Sequence, residues 1–246
     1  MDGVSPGAGP PFPGGIGVSH LRVSDTVAPA GLAGGTPHLH TVCTEAYAVI
    51  AGGGKVQTLT MAGFEETPLE PGAFVWFTPG TIHRLVNDGD LEILVLMANA
   101  GLPEAGDMVI TFEPDVVADA ERYAAAAALP EDDRTTSGPG DAARLRRDAA
   151  VPEFLRLAES IGTGDTTELE LFHDAAAAIV RPKLRDWVEI WREGPLAAVE
   201  ATGVQLTALA TGDATHLADA TVTSIPPPEG ARRMGCCGTL GTHVLR

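Results

Sequence analysis

The sequence predicts a mainly β protein with added α structure: an antiparallel β-barrel of jelly-roll type, joined to a helical insertion or a C-terminal helical region. Three observations predict it. Between residues 18 and 113, short runs rich in β-branched and aromatic residues alternate with Gly, Pro, Asn and Asp turn signals at the spacing of a small all-β barrel. Beyond Glu113 the composition turns to helix formers punctuated by prolines and charged boundaries. Near the end, Ala220 to Ile225 and Thr239 to Leu245 become strand-like again. The expected organisation is a flexible tail at 1–17, a barrel at 18–113, a helix-rich region at 114–218, and strands at 219–246 that return to the barrel.

Taken in order, Met1 to Gly17 is rich in Gly and Pro and has no basic residue ahead of an apolar core, which excludes a signal peptide. Val18 to Val23 reads as the first strand and Ala28 to Gly35 as a loop. Pro37-His38-Leu39-His40 and Glu45 to Ile50 have strand composition, and Gly52-Gly53-Gly54 predicts a hairpin turn with Lys55 to Met61 as its return arm. Glu65 to Leu69 and the apolar run Ala73 to Phe77 follow, separated by the Pro71-Gly72 turn. Asn87-Asp88-Gly89-Asp90 predicts a second hairpin, between Thr81–Val86 and Leu91–Met97, and Met108 to Phe112 is the last strand of the block. Helices are expected over Val116 to Leu129, capped by Asp115, then over Asp141 to Ala149, Pro152 to Ile161, Thr166 to Val180 and Pro182 to Ala201, with a linker from Leu129 to Gly140.

The chain has 246 residues, 44% of them apolar, and a formal charge of -17. So negative a field opposes binding to nucleic acid and to anionic membrane surfaces. No apolar run approaches the roughly 20 residues that span a bilayer. Thirteen of the sixteen basic residues lie beyond position 113, which leaves the barrel Arg22, Lys55 and Arg84. Three cysteines, Cys43, Cys236 and Cys237, are too few for a disulfide framework, and the simplest compartment is a reducing cytoplasm.

The chemistry concentrates between Gly35 and Asn87. His38 and His40 are two apart, so on a strand both side chains project from one face, roughly 6.6 Å apart along the backbone, with Leu39 turned the other way. Glu45 follows on strand-forming sequence, and His83 comes directly after a Pro-Gly turn. His38, His40, Glu45 and Gly52 have the order and spacing of the first cupin motif, and Gly72, Gly80, His83 and Asn87 match the second. Thr78 stands where that second motif usually has proline, with Pro79 beside it. The chain therefore resembles the cupin superfamily over about residues 35 to 90.

The resemblance implies one divalent transition metal per chain at His38, His40, Glu45 and His83. Such an N/O set of borderline hardness suits Fe, Mn, Ni, Cu or Zn. It implies a family of many activities, and the leading reading is an oxidoreductase or dioxygenase acting on a small oxygen-rich molecule, with Glu45 and Tyr47 as catalytic residues. The alternatives are a metal-dependent isomerase, epimerase or lyase, and a non-enzymatic small-molecule-binding barrel. The small-molecule substrate is expected to be neutral or weakly acidic, since a phosphosugar needs cations that the barrel hardly has. Cupin barrels often pair, so a homodimer is expected, with the edge near Val18 to Val23 suited to it.

Other residues rank lower. Cys43 shares the strand parity of Glu45, Gln57 and Trp76 are candidates for pocket lining, and Arg84 is expected to point outward into solvent. The basic run Ala143 to Arg147 reads as a solvated helix face. Cys236 and Cys237, close to Arg232 and Arg233, are a candidate thiol pair. His20, His173, His216 and His243 receive no role. Phe154, Phe172, Trp187 and Trp191 give the helices apolar faces, and the expectation is that they cover the barrel mouth as a lid.

Overall fold

The computed structural model describes residues 12–134, 141–224 and 232–242. Its β part is one antiparallel sheet of nine strands: β1 (Gly17–Val23), β2 (His38–His40), β3 (Glu45–Thr60), β4 (Gly63–Leu69), β5 (Phe74–Phe77), β6 (Ile82–Met97), β7 (Met108–Ile110), β8 (Arg233–Met234) and β9 (Gly238–Thr242). The order is β4-β3-β6-β1-β9-β8, with β5 on β3 and β2 held between β6 and β7. Tyr47, Leu59, Leu69, Ile82, Leu85, Leu91 and Ile93 belong to one buried core, each at most 1% exposed.

Both expected hairpins turn out to be bends in long strands. β3 and β6 each run for 16 residues and pair along their whole length, with register shifts between Val49 and Gly54. The two turn signals lie opposite each other, Gly53 pairing with Gly89, so each strand bends across the other instead of folding back. Glycine is required at the crossing. Gly52 has φ of +73°, and a Cβ there would lie 2.1 Å from the Asp90 carbonyl oxygen. Asn87 secures the other side: its side-chain oxygen accepts the Gly89 and Leu91 amides, and its side-chain nitrogen donates to Val23 O at 2.9 Å.

β1 is flanked on both sides, by β6 and by β9, so the edge expected near Val18 to Val23 is already occupied. Gly17 belongs to β1 and Pro13–Gly15 forms a 3-10 turn, so the expected tail is ordered from Phe12 on; Met1 to Pro11 lie outside the described residues. Ala220 to Ser224 form no strand, while Ile225 and His243 to Leu245 also lie outside the described residues.

The helices are α1 (Pro114–Val117), α2 (Ala120–Ala127), α3 (Asp141–Gly162), α4 (Thr167–Val180), α5 (Leu184–Trp191) and α6 (Ala197–Ala210). The first expected helix is therefore two, and its cap is Asp119, whose carboxylate accepts the Glu121 and Arg122 amides, not Asp115. The next two expected helices are one, because α3 runs straight through Pro152. A π-helical turn at Arg192–Leu196 joins α5 to α6, where Gly194 and Pro195 disturb the regular ladder.

The helices pack against the outside of the sheet. Phe154 and Leu157 of α3 are fully buried, and the Phe154 ring lies 6.1 Å from that of Phe64 on β4. The basic run is solvated only in part: Arg144 is exposed and pairs with Asp141, but Arg147 is buried and donates to Thr26 O, Gly34 O and Val27 O, while Arg146 reaches Ala127 O and Gly235 O. Arg84 also departs from expectation. Its side chain does lie on the opposite face of β6 from His83, but that face is covered too, and Arg84 is 0% exposed, donating to Gly35 O and Leu32 O. Burial with Arg147 beside it lowers its pKa to about 10.

Candidate metal centre

Three strands deliver four side chains to a single point. His38 and His83 are direct cross-strand partners on β2 and β6, which places their rings on one face with centroids 4.3 Å apart. His40 follows two residues on, its ring 5.4 Å from that of His38. Glu45 opens β3 after the loop 41–44. One ligand atom from each of the four residues lies within 4.8 Å of the others, and all four residues are buried.

The hydrogen bonds settle which nitrogen of each ring faces inward. Nδ1 of His38 lies 2.8 Å from Thr36 O and Nδ1 of His83 lies 3.2 Å from Thr81 O. A carbonyl only accepts, so both Nδ1 atoms carry the proton. Nδ1 of His40 lies 3.2 Å from the Asp107 carboxylate and is assigned the same way. In the neutral ring each Nε2 atom then presents its lone pair to the centre. His38 Nε2 and His83 Nε2 stand 3.2 Å apart, and Glu45 Oε2 is 3.0 Å from His83 Nε2 and 3.4 Å from His40 Nε2. With no proton on those nitrogens, Glu45 Oε2 is left buried without a hydrogen-bond donor. Four donor atoms converging in this way could hold a cation among them.

The charges agree. Burial, with His83 and His40 alongside, holds His38 well below the ordinary histidine range and hence neutral at pH 7. Burial opposes ionisation of Glu45, but the neighbouring histidines outweigh it and bring its pKa down to about 2. For His40 the burial effect is outweighed by the Asp107 and Glu45 carboxylates, which raise it. Glu45 and Asp107, both held ionised and buried beside the rings, bring negative charge that a divalent ion at the cluster would offset.

Asp107 is the residue that sequence reasoning missed. It is 0% exposed and sits just before β7. Besides His40 it accepts the backbone N–H of Thr41 at 2.8 Å, Val42 at 2.9 Å and Cys43 at 3.2 Å, and the Thr41 hydroxyl. Burial would raise its pKa, yet the bonds from His40, Thr41 and Cys43 keep it well below the carboxylate range. Ala105-Gly106-Asp107 reads in sequence as an ordinary turn, and nothing local marks its long-range partners.

Tyr47 lies beside this centre, its ring 6.4 Å from that of His83, with its hydroxyl buried and without a partner. Burial first, and the Glu45 charge second, push its pKa far up, so it remains a hydrogen-bond donor. Cys43 is buried as a small apolar residue whose thiol burial pushes up. The Cys236 and Cys237 thiols are likewise raised by burial, which removes their thiolate character; the backbone around Cys237 packs tightly on Gly35. Gln57 faces the side opposite Thr58 and His83 and donates to Glu66, so it does not line the centre. His20 pairs with Glu92 at 2.8 Å, and His173 contacts Gly80 O at 3.0 Å.

A cavity of about 300 Å³ opens next to the centre, between the second half of β3, β4 and β5. Its walls carry the hydroxyls of Thr58, Thr60, Thr67, Thr78 and Thr81, the carboxylate of Glu65, and Trp76 and Phe77. The Phe77 ring lies 4.3 Å from that of His83 and forms the partition to the ligand cluster. All lining residues lie between Val56 and Thr81, so the helices do not cover this mouth; Phe154, Phe172 and Trp187 are instead buried elsewhere against the barrel, while Trp191 is 40% exposed.

Comparison with known proteins places the sheet and the two motifs in a family. Curated proteins yield no match to the sequence. Among solved structures, the chain is similar to the TDP-quinovose 3,4-ketoisomerase WlaRB of Campylobacter jejuni, at 14% identity over 33% of this chain and 60% of that one, with a TM-score of 0.28. It is similar to a cupin protein from Bacteroides fragilis, at 18% identity over 35% of this chain and 65% of that one, TM-score 0.26. It is similar to a sugar phosphate isomerase of the cupin superfamily from Silicibacter pomeroyi, at 24% identity over 34% of this chain and 50% of that one, TM-score 0.27. The chain thus spans less than two thirds of the length of each of these three. Residues 25–98 match the family model described as the Cupin domain. His38, His40, Glu45 and His83 all fall inside that segment, which is the part of the chain that carries the cupin match.

Proposed function

We propose that this cupin is a metal-dependent enzyme for a small, oxygen-rich, uncharged organic molecule, of oxidoreductase or dioxygenase type, using one divalent transition metal at His38, His40, Glu45 and His83. The observation that carries the reading is the fixed tautomer of the three histidines, whose Nε2 lone pairs converge beside the unpartnered Glu45 oxygen. When bound, the metal supplies Lewis acidity and, if redox-active, the electron transfer that dioxygen chemistry requires. Four protein donors leave two positions of a six-coordinate ion for other ligands.

The chain supplies the rest. The row of threonine hydroxyls offers donors and acceptors to a polyhydroxylated molecule, and Trp76 and Phe77 offer apolar faces to its ring or carbon chain. Among the described residues, no lysine or arginine lines the cavity, which disfavours a phosphorylated substrate. Tyr47, held protonated, donates to a substrate oxygen; Glu45, held ionised, is placed to take a proton. That same donor–acceptor pair supports a second reading, an isomerase or lyase in which the ion polarises a carbonyl. The reading includes a homodimer: Phe74 and Trp76, 53% and 67% exposed with their rings 6.2 Å apart on β5, offer an apolar surface for a second copy at the cavity rim.

The test is elemental analysis of protein purified without added metal, beside a His38→Ala, His83→Ala double variant, followed by oxygen-uptake screening of neutral polyhydroxylated compounds. Near-stoichiometric iron, manganese, nickel or copper that the variant loses, with substrate-dependent oxygen uptake, supports the oxidoreductase. Metal with no oxygen uptake but conversion of a keto or hydroxy compound supports the second reading. No metal in either protein after reconstitution sinks both.

A further inference from the structure

We propose that Asp107 is a positioning residue of the metal centre, which sets the tautomer of His40 and holds the loop between His40 and Glu45 in place. The inference rests on the metal reading above for its consequence, and on hydrogen-bond geometry alone for its premise. One oxygen of Asp107, Oδ2, accepts from His40 Nδ1 at 3.2 Å and from Cys43 N at 3.2 Å. The other, Oδ1, accepts Thr41 N at 2.8 Å, Val42 N at 2.9 Å and the Thr41 hydroxyl. A single buried carboxylate thus satisfies three successive amides of the segment joining two metal ligands, and at the same time one ring nitrogen of the first. Five donors, three on Oδ1 and two on Oδ2, call for a group that accepts at both oxygens, which an ionised carboxylate does and an amide does not.

The consequence for His40 is specific. While Asp107 accepts at Nδ1, the proton stays on Nδ1 and Nε2 is free to ligate. Replace the carboxylate by an amide and the three bonds to Oδ1 survive, but an NH2 group now faces His40 Nδ1. Two donors cannot pair, so the ring must put its proton on Nε2 and accept through Nδ1. That proton occupies the position from which His40 would bind metal.

Asp107 is itself held. The loop before it is gripped by the helical region: Lys183 Nζ donates to Gly106 O at 2.9 Å and Trp187 Nε1 donates to Ala105 O at 3.2 Å. A Cβ on Gly106 would meet the Lys183 Nζ at 2.7 Å, and one on Gly101 would meet Ile190 at the same distance. The carboxylate therefore stands at the end of a short loop fixed from α5, with its aim set by the fold.

The experiment compares wild type and Asp107→Asn as full-length chains. Binding of Co(II) and Zn(II) is measured by competition with a chromophoric chelator, and the tautomer of His40 is read from imidazole 15N shifts of the metal-free proteins. The expected result is a 10- to 100-fold weaker affinity in Asp107→Asn, with the His40 proton on Nδ1 in wild type and on Nε2 in the variant. Equal affinities, or an unchanged tautomer in a folded variant, would overturn the proposal. Should Asp107→Asn fail to fold, the wild-type spectrum decides: a proton on Nε2 of His40 refutes the assignment and a proton on Nδ1 sustains it. A wild type that binds neither ion but shows the tautomer change refutes the metal reading while leaving Asp107 as the group that orients His40.

Discussion

Stripping and restoring metal should move the melting temperature of this protein by about 5 to 11 °C. The four ligands come from β2, β3 and β6, between positions 38 and 83, and meet only in the folded chain, so the ion binds the native state and scarcely the unfolded one. At a free-metal concentration of 100 times Kd, such binding contributes about 2.7 kcal/mol. For a chain of this size each kcal/mol is worth about 2 to 4 °C. The metal-free protein also keeps Glu45 and Asp107 buried and ionised, charges that a bound cation would offset. The assay is differential scanning fluorimetry after chelation, titrating Mn(II), Fe(II), Ni(II), Cu(II) and Zn(II) separately, with the His38→Ala, His83→Ala variant as control. An increment that saturates in wild type and is absent from the variant is expected. If none of the five ions shifts wild type, or if the variant shifts equally, the argument from converging lone pairs is wrong.

The same increment should shrink on acidification from pH 7.5 to 5.5, because protons compete for the Nε2 atoms, and melting curves at the two pH values with saturating and zero metal measure it. Tyr47→Phe removes a buried hydroxyl with no partner, so stability should stay level or rise by up to about 1 kcal/mol in urea unfolding while turnover falls; a loss of more than 1 kcal/mol would show that the hydroxyl is structurally bonded. Gly52→Ala should cost about 3 kcal/mol, because its φ is +73° and the new Cβ would strike the Asp90 carbonyl; a cost under 1 kcal/mol would mean the β3–β6 crossing can shift. Phe154→Ala, at a site with 0% exposure, should cost about 3 to 5 kcal/mol by denaturant titration, and a smaller loss would place α3 outside the cooperative core.

Much of the barrel and the ligand set could be read from sequence because both depend on short-range patterns. His38, His40 and His83 are recognisable from spacing and from the turn before His83, and strand parity correctly separates Leu39 from its neighbours. The hairpins were misread for an identifiable reason: Gly52-Gly53-Gly54 and Asn87 to Asp90 carry the chemistry of turns, but pairing of Gly53 with Gly89 turns both into bends, and pairing is not a local property. Arg84 shows the limit of parity. Facing away from His83 meant solvent only if nothing packed there, and the loop at Leu32 to Gly35 and the segment around Cys237 do. Asp107 was invisible because its partners lie more than sixty residues earlier.

The distribution of cations bears on what the site can accept. Each basic residue of the barrel is already committed: Arg22 pairs with Glu92 at 2.8 Å, Lys55 with Glu66 at 2.8 Å, and Arg84 is sealed behind β6. The helical region, which holds most of the cations, meets the turns beside the site at backbone carbonyls, by way of His173 at Gly80, Lys183 at Gly106 and Trp187 at Ala105. It therefore braces the turn before His83 and the loop before Asp107 from outside, and brings no positive charge into the cavity. An anionic substrate would face Glu45, Glu65 and the chain's overall negative field with only the bound ion to offset them. Introducing a cation at the rim, as in Thr67→Lys, should leave metal affinity unchanged and improve binding of acidic analogues over neutral ones. Equal discrimination in wild type and variant would place substrate somewhere other than the threonine-lined cavity.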